Sequence, residues 1–151
     1  MTDIGLNLIK SVFQPKLVGG DLVLDEGLET AVIISLFSDA RVTTDELPQG
    51  IVFKRGYWGD MIPDKVGDVF GSKLWIYDRS KITNATIAQV ELAAATSLQW
   101  LIDDKIADTV IVAASRYDTF TLILQITITK PGDTASNVYG FLWDGQELRR
   151  A

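Results

Sequence analysis

Asp60, Asp64 and Asp68 recur every fourth residue, a spacing that would bring three carboxylates to one helical face and could hold a metal ion. Pro63 and Gly67 fall between them and oppose a regular helix, and no glutamate follows at the spacing of a calcium loop. Asp103 and Asp104 are adjacent, so on a helix their side chains diverge by about 100° and make a poor general acid/base pair. Gly56-Tyr57-Trp58-Gly59 has the Gly-x-x-Gly outline of an RNA-clamping loop, but two bulky rings between the glycines and the acidic Asp60 after them suit a phosphate backbone badly. The chain has no histidine and no cysteine. That excludes Ser-His-Asp and Cys-His catalysis, thiolate nucleophiles, disulfides and zinc sites built from either residue. No phosphate-binding glycine loop is present. The expectation is a protein that is not an enzyme and has no catalytic, cofactor or metal residues.

The elements that must position these residues belong to a chain of 151 residues, long enough for one domain with a substantial core. Fourteen basic residues stand against 20 acidic ones, for a net charge of −6 and an isoelectric point near 4.5. A nucleic-acid binder of this size would carry a basic stripe, and the densest basic cluster here is only Arg149-Arg150. The longest apolar runs, Val110 to Ala114 and Ala31 to Ile34, are far too short to span a bilayer, and the N-terminus does not read as a signal peptide. Neither nucleic acid nor membrane insertion is expected. Hydrophobic residues nonetheless make up 47% of the chain, with a mean hydropathy of +0.17. Either the core is well filled, or apolar surface is reserved for a permanent partner.

Residues 1–20 show no steady period and read as an extended arm, with a single domain over 21–151. Asp21-Leu22-Val23-Leu24 is a short strand candidate. Leu28, Ala31, Val32, Ser35 and Leu36 then recur at helical spacing, with Asp25 as N-cap and Glu26 and Glu29 at the dipole-favoured end. Residues 39–72 hold Pro48, Pro63 and five glycines and read as irregular, with a possible strand at Ile51 to Lys54. Leu74, Trp75, Tyr77 and Asp78 suggest a short helix. Thr83 caps a long one from Asn84 to about Asp103, with Ile87, Val90, Ala94, Leu98, Leu101 and Ile102 inward and Leu92-Ala93-Ala94-Ala95 permitting a close neighbour.

The last third reads as β: strands at Asp108 to Ser115, Thr119 to Thr129 and Asn137 to Trp143, with turns at Arg116-Tyr117-Asp118 and Pro131-Gly132-Asp133. In the second strand Phe120, Leu122, Leu124, Ile126 and Ile128 share one face, and its eleven residues contain no charge, proline or glycine. Left as an open edge it would invite aggregation, so it must be central or covered by another chain. The predicted class is α+β, a single domain with an antiparallel C-terminal meander packed against one long and one or two shorter helices.

Two features remain unabsorbed. Arg55-Gly56-Tyr57-Trp58-Gly59-Asp60 sets large rings in a flexible frame, either plugging the core or anchoring an interface. Asp103 and Asp104 sit at the negative pole of a helix, where a carboxylate costs about 0.3–1 kcal/mol if exposed. Either that terminus is solvated and frayed, or a partner's cation sits there.

Asp21-Leu22-Val23-Leu24 before the apolar helix Leu28 to Phe37, Arg55 to Asp60, Gly71-Ser72-Lys73-Leu74-Trp75, and Trp100-Leu101-Ile102-Asp103-Asp104 occur in a particular order. Over roughly residues 20–130 this ordered set resembles the Mu-like phage baseplate family known as phage protein forty-six, itself similar to the wedge protein twenty-five of phage T4 and protein W of phage P2. The resemblance implies a structural wedge component of a contractile-tail baseplate, present in multiple copies in a symmetric assembly. Its implied partners are larger wedge proteins, hub and spike proteins and tail sheath subunits, and its implied location is the virion tail, after assembly in the host bacterial cytoplasm. It also implies that sheath assembly begins by strand addition on its sheet. The T4-like relatives carry a Glu-Pro-Arg motif near the end of the long helix. This sequence has Leu101-Ile102-Asp103-Asp104-Lys105-Ile106 there instead, with the acidic pair as an analogous docking point of reversed charge. The expected partner-contact residues are Arg55, Tyr57, Trp58, Asp60, Asp103, Asp104, Thr121, Gln125, Thr127, Tyr139 and Trp143. The alternative is a ligand-binding or enzymatic domain with a deep pocket between long helix and sheet, lined by Trp75, Trp100 and carboxylates.

Overall fold

A computed structural model describes residues 3–9, 12–25, 27–62, 69–145 and 148–151. Glu26, Pro63, Asp64, Gly67 and Asp68, all weighed above, lie outside the described residues.

The meander is as the alternation predicts. After six short strands between Asp3 and Asp25, β7 (Thr109–Arg116), β8 (Leu122–Thr129), β9 (Ser136–Trp143) and β10 (Leu148–Arg150) form one antiparallel sheet in the order β10-β9-β8-β7. The charge-free strand is central, with Ile126 facing Val112 on one side and Tyr139 on the other. Leu124, Ile126 and Ile128 are fully buried on its inner face. Phe120 is not part of that face: Asp118 Oδ1 accepts the backbone N–H groups of Phe120 and Thr121, both at 2.8 Å, and the resulting turn leaves Phe120 exposed. The strand therefore starts at Leu122 rather than Thr119.

Helices cover only the inner face. α1 (Glu29–Phe37) begins with Leu28, not Asp25, at its N-cap position. Its cap is tertiary: the Leu28 N–H donates to the Tyr139 hydroxyl at 3.1 Å. α2 (Asn84–Ser97) is capped as expected by Thr83, whose hydroxyl accepts from Thr86 N at 3.1 Å. It tightens at Leu98 and Gln99, whose N–H groups bond three residues back, before α3 (Trp100–Asp103) completes the long helical segment. Val90, Ala94, Leu98 and Leu101 are fully buried against the sheet. Phe37 meets Phe141 edge-on at 5.7 Å and locks α1 to β9.

The segment between helices is clasped. Ser72, 3% exposed, donates its N–H to Ser38 O (2.8 Å) and its hydroxyl to Leu36 O (2.5 Å), while its carbonyl accepts from Ala40 N (2.9 Å). Gly71 has φ 90°, and a Cβ there would lie 2.5 Å from Ser38 O. The Gly71-Ser72 pair thus fastens the chain to the end of α1, leading into a 3-10 turn at Leu74–Tyr77 where a short helix was expected. Ile51 to Lys54 is not a strand: the segment has no ladder partner among the described residues, and Val42 N–H reaches Lys54 O at 3.2 Å instead.

The described residues from Asp3 to Asp25, which include the arm and the strand candidate after it, are extended backbone folded on itself. β1 (Asp3–Ile4) pairs with β6 (Leu24–Asp25), β2 (Leu6–Ile9) with β3 (Val12–Pro15), and β4 (Leu17–Val18) with β5 (Asp21–Leu22). The expected single strand at 21–24 is thus split at Val23. The three ladders meet where Gly5 N bonds Val23 O, Val23 N bonds Lys16 O, and Lys16 N bonds Gly5 O, at 2.7–2.8 Å. Thr30 Oγ1 donates to Ile4 O at 3.1 Å and ties the arm to α1.

Two substitutions test this framework. Ser72→Ala and Tyr139→Phe should each lower unfolding free energy by about 1–2 kcal/mol in urea titrations, because each strands buried or half-buried backbone groups. An unchanged midpoint would show that the clasp or the tertiary cap is not stabilising.

Candidate functional site

The Arg55–Asp60 motif forms the base of an apolar lobe. Arg55 adopts φ 45° and its guanidinium lies 4.6 Å over the Trp75 ring, 2.8 Å from Asp39 and 3.7 Å from Asp78. The Trp75 indole N–H in turn donates to Ala40 O at 2.9 Å. Gly56, at φ 99°, packs so closely on Arg41 that a Cβ would come within 2.5 Å of the Arg41 Cβ. From this anchored base the rings project outward. Tyr57 contacts Trp58 at 5.3 Å and Phe70 at 5.2 Å. Asp60 Oδ1 accepts from Phe70 N at 3.2 Å, and its other oxygen is buried without a hydrogen bond among the described residues. Val52, Phe53 and Ile62 are more than 80% exposed and Trp58 71%, with Val69 and Phe70 also exposed. The lobe therefore displays its rings and does not plug the core. Sequence spacing singles out none of Val52, Phe53, Ile62, Val69 and Phe70, and the strand expectation at Ile51 to Lys54 hides the first two. The flanking Pro48, Gly50 and Gly56 were the available signal against it.

Beside the lobe runs a groove of about 950 Å³. Leu92, Ala93 and Trp100 of the long helical segment form one wall, Lys73 and Ile76 the other, and Val69 links it to the lobe. Asp103 and Asp104 also line it. Val69 is thus the point at which the lobe meets the groove that the acidic helix end lines. The groove lies on the far side of α2 from the sheet. Among the described residues the space between helix and sheet is filled by Val90, Ala94, Leu98 and Leu124. Trp75 and Trp100 have structural partners, the Trp100 indole N–H donating to Ser35 Oγ at 3.0 Å.

The sheet residues separate. Thr121 and Trp143 are buried, and Tyr139 faces inward to cap α1. Gln125 and Thr127 lie on the outer face, Gln125 exposed and Thr127 half-buried. That face, with Ile111, Ala113, Ser115, Ile123, Val138 and Leu142, carries no charge on these three strands. In the turn before β8, backbone hydrogen bonds hold the Asp118 carboxyl below its ordinary range. At the edge of the groove, Lys73 holds the Glu46 carboxyl low at 2.5 Å.

A family model described as "Phage protein GP46" matches residues 28–135, from the N-cap of α1 to the turn before β9. The chain belongs to the phage GP46 family. It is 38% identical over 123 residues to the "Mu-like prophage FluMu protein gp46" of Haemophilus influenzae, covering 81% of this chain and 83% of that one. It is 36% identical over 114 residues to the "Baseplate protein gp46" of Escherichia phage Mu, covering 75% and 77%. The part matched by the GP46 model includes the lobe, the groove and the central strand, and excludes the arm.

The Arg55 anchor has a pH signature. Burial pushes the Asp78 carboxyl up to about 6, opposed by Arg55 and reinforced by Asp39. A raised carboxylate pKa means stability that is complete below the unfolded-state value near 4 and is lost as pH rises through about 6. Asp78→Asn should therefore flatten the stability profile between about pH 4 and about pH 7, by about 1 kcal/mol once solvent screening at this partly exposed site is allowed for. Denaturant titrations across that window would detect it, and a variant profile parallel to the parent's would contradict the assignment.

Proposed function

We propose that this protein is a structural component of a contractile phage-tail baseplate, not an enzyme. It docks on larger wedge proteins and starts the tail sheath by strand addition. The observation that carries the docking reading is the exposed lobe, with a groove beside it that Val69 shares and that Asp103 and Asp104 line. Trp, Tyr and Arg dominate protein interfaces, and a patch of this apolar character marks an interaction surface. Arg55 and Asp60 hold the lobe in shape, while Tyr57 and Trp58 make the contact. The acidic pair receives a basic side chain, which also relieves two carboxylates at the negative end of the helix. Family membership and the name of the phage Mu relative support this reading.

For the sheath, the outer sheet face around Gln125 and Thr127 and the margin of the sheet are the available surfaces, since β8 itself is interior. The arm, residues 1–20, supplies a further contact through its exposed Leu17 and Val18. Several copies then sit around the hub and spike in the virion tail, assembled beforehand in the host cytoplasm.

Co-expression with the neighbouring baseplate proteins tests the docking surface. Trp58→Ala and Asp104→Lys should each weaken co-purification of the wedge partner by about tenfold or more, without lowering the melting temperature of the isolated chain. Wild-type recovery from both variants would overturn the assignment.

A further inference from the structure

The meander has two outer strands, and they differ. β10 is three residues long and lies beside β2 of the arm. β7 is eight residues long and forms the long margin. Tyr117 N–H donates to Thr121 O at 2.9 Å, in register with the ladder that pairs Arg116 with Leu122. Antiparallel ladders alternate, so the backbone groups of Thr109, Ile111, Ala113 and Ser115 address β8, while those of Val110, Val112, Ala114 and Arg116 point off the sheet. The Ala114 N–H agrees with this parity: it donates not to a strand but to Glu91 Oε2 of α2, at 3.0 Å. Next to it the Arg116 guanidinium reaches the Ile82 carbonyl just before α2. From Thr109 to Ser115, β7 has no charged residue, proline or glycine, so it lacks the usual protection of an exposed edge. The protection is lent by the helix: the Glu91 carboxylate stands where the carbonyl of an added strand would stand.

We propose that the β7 margin is where an extended segment of a sheath subunit joins this sheet, and that Glu91 is the catch that holds the margin closed until that segment arrives. The inference rests on the strand-addition reading above and names the edge, the partner chemistry and the regulation. The incoming segment supplies a backbone carbonyl for Ala114 N–H and further ladder bonds at Val110 and Val112. It carries a lysine or arginine opposite Ala114, which takes over the displaced Glu91 carboxylate in a chain of net charge −6.

The test uses the full chain and three variants: Glu91→Ala, Glu91→Gln, and Glu91→Ala combined with Val112→Pro. Amide exchange at Ala114 should rise about tenfold in Glu91→Ala, the loss of one charged hydrogen bond, and stay near wild type in Glu91→Gln, whose amide oxygen still accepts. With a second copy of the chain as probe, sedimentation should show Glu91→Ala associating as concentration rises. Val112→Pro should reverse this by removing an outward N–H. Unchanged Ala114 exchange in folded Glu91→Ala, or association that survives Val112→Pro, would overturn the catch. Purified sheath protein then separates the two levels. Faster sheath nucleation by Glu91→Ala supports the whole proposal. An opened margin with unaltered nucleation leaves the catch standing and removes the sheath as its partner.

Discussion

Everything in this fold follows from where β8 can be put. Leu122 to Thr129 has no charge, no proline and no glycine, and nothing in it resists pairing with a stranger. β7 and β9 take both of its edges in full register, and α1 and α2 take its inner face. With two helices committed to that one face, the architecture has two layers, and the outer face of the sheet stays bare. Between Asp39 and Ser72, the described residues bury Ala40, Val42 and Ser72 and leave Val52, Phe53, Trp58 and Ile62 outside the layers. This stretch is pinned at its ends by Ser72 and at its middle by Arg55, and it carries its rings outward.

This division of labour suits a part that is built in and does not turn over substrate. The scaffold is dense: Val32, Val90, Ala94, Leu98, Leu101, Leu124, Ile126 and Ile128 have no accessible surface. The display region is held by polar fastenings instead: a buried serine, a guanidinium over an indole, and a lysine–glutamate pair. Such fastenings fix the shape of the lobe without covering it. The high apolar content therefore has two destinations, a filled core and an exposed lobe.

Local periodicity was legible wherever one face of an element meets the core. The inward face of α2, the Thr83 cap, the alternation of β8 and the order of the meander could all be read from residue spacing. What could not be read depends on long-range contacts. The start of α1 is set by Tyr139, more than a hundred residues away, so the local cap signal at Asp25 misled. Ile51 to Lys54 has the composition of a strand but no pairing neighbour among the described residues. Phe120 continues the alternation of β8 by residue type, but the Asp118 turn removes it from the sheet. The contact residues divide in the same way. Tyr57 and Trp58 are displayed on the lobe, and Asp103 and Asp104 line a groove that no sequence spacing indicates. Thr121 and Trp143 alternate correctly and turn out to be buried.

The central claim is that the lobe and the acidic helix end form one docking surface. Amide exchange of the chain, free and within an assembled baseplate, tests it most directly. The account predicts slowed exchange at residues 52–62 and 69–70 together with the groove wall from Leu92 to Asp104. Protection confined to the outer sheet face or the arm, with the lobe exchanging as in the free chain, would contradict it.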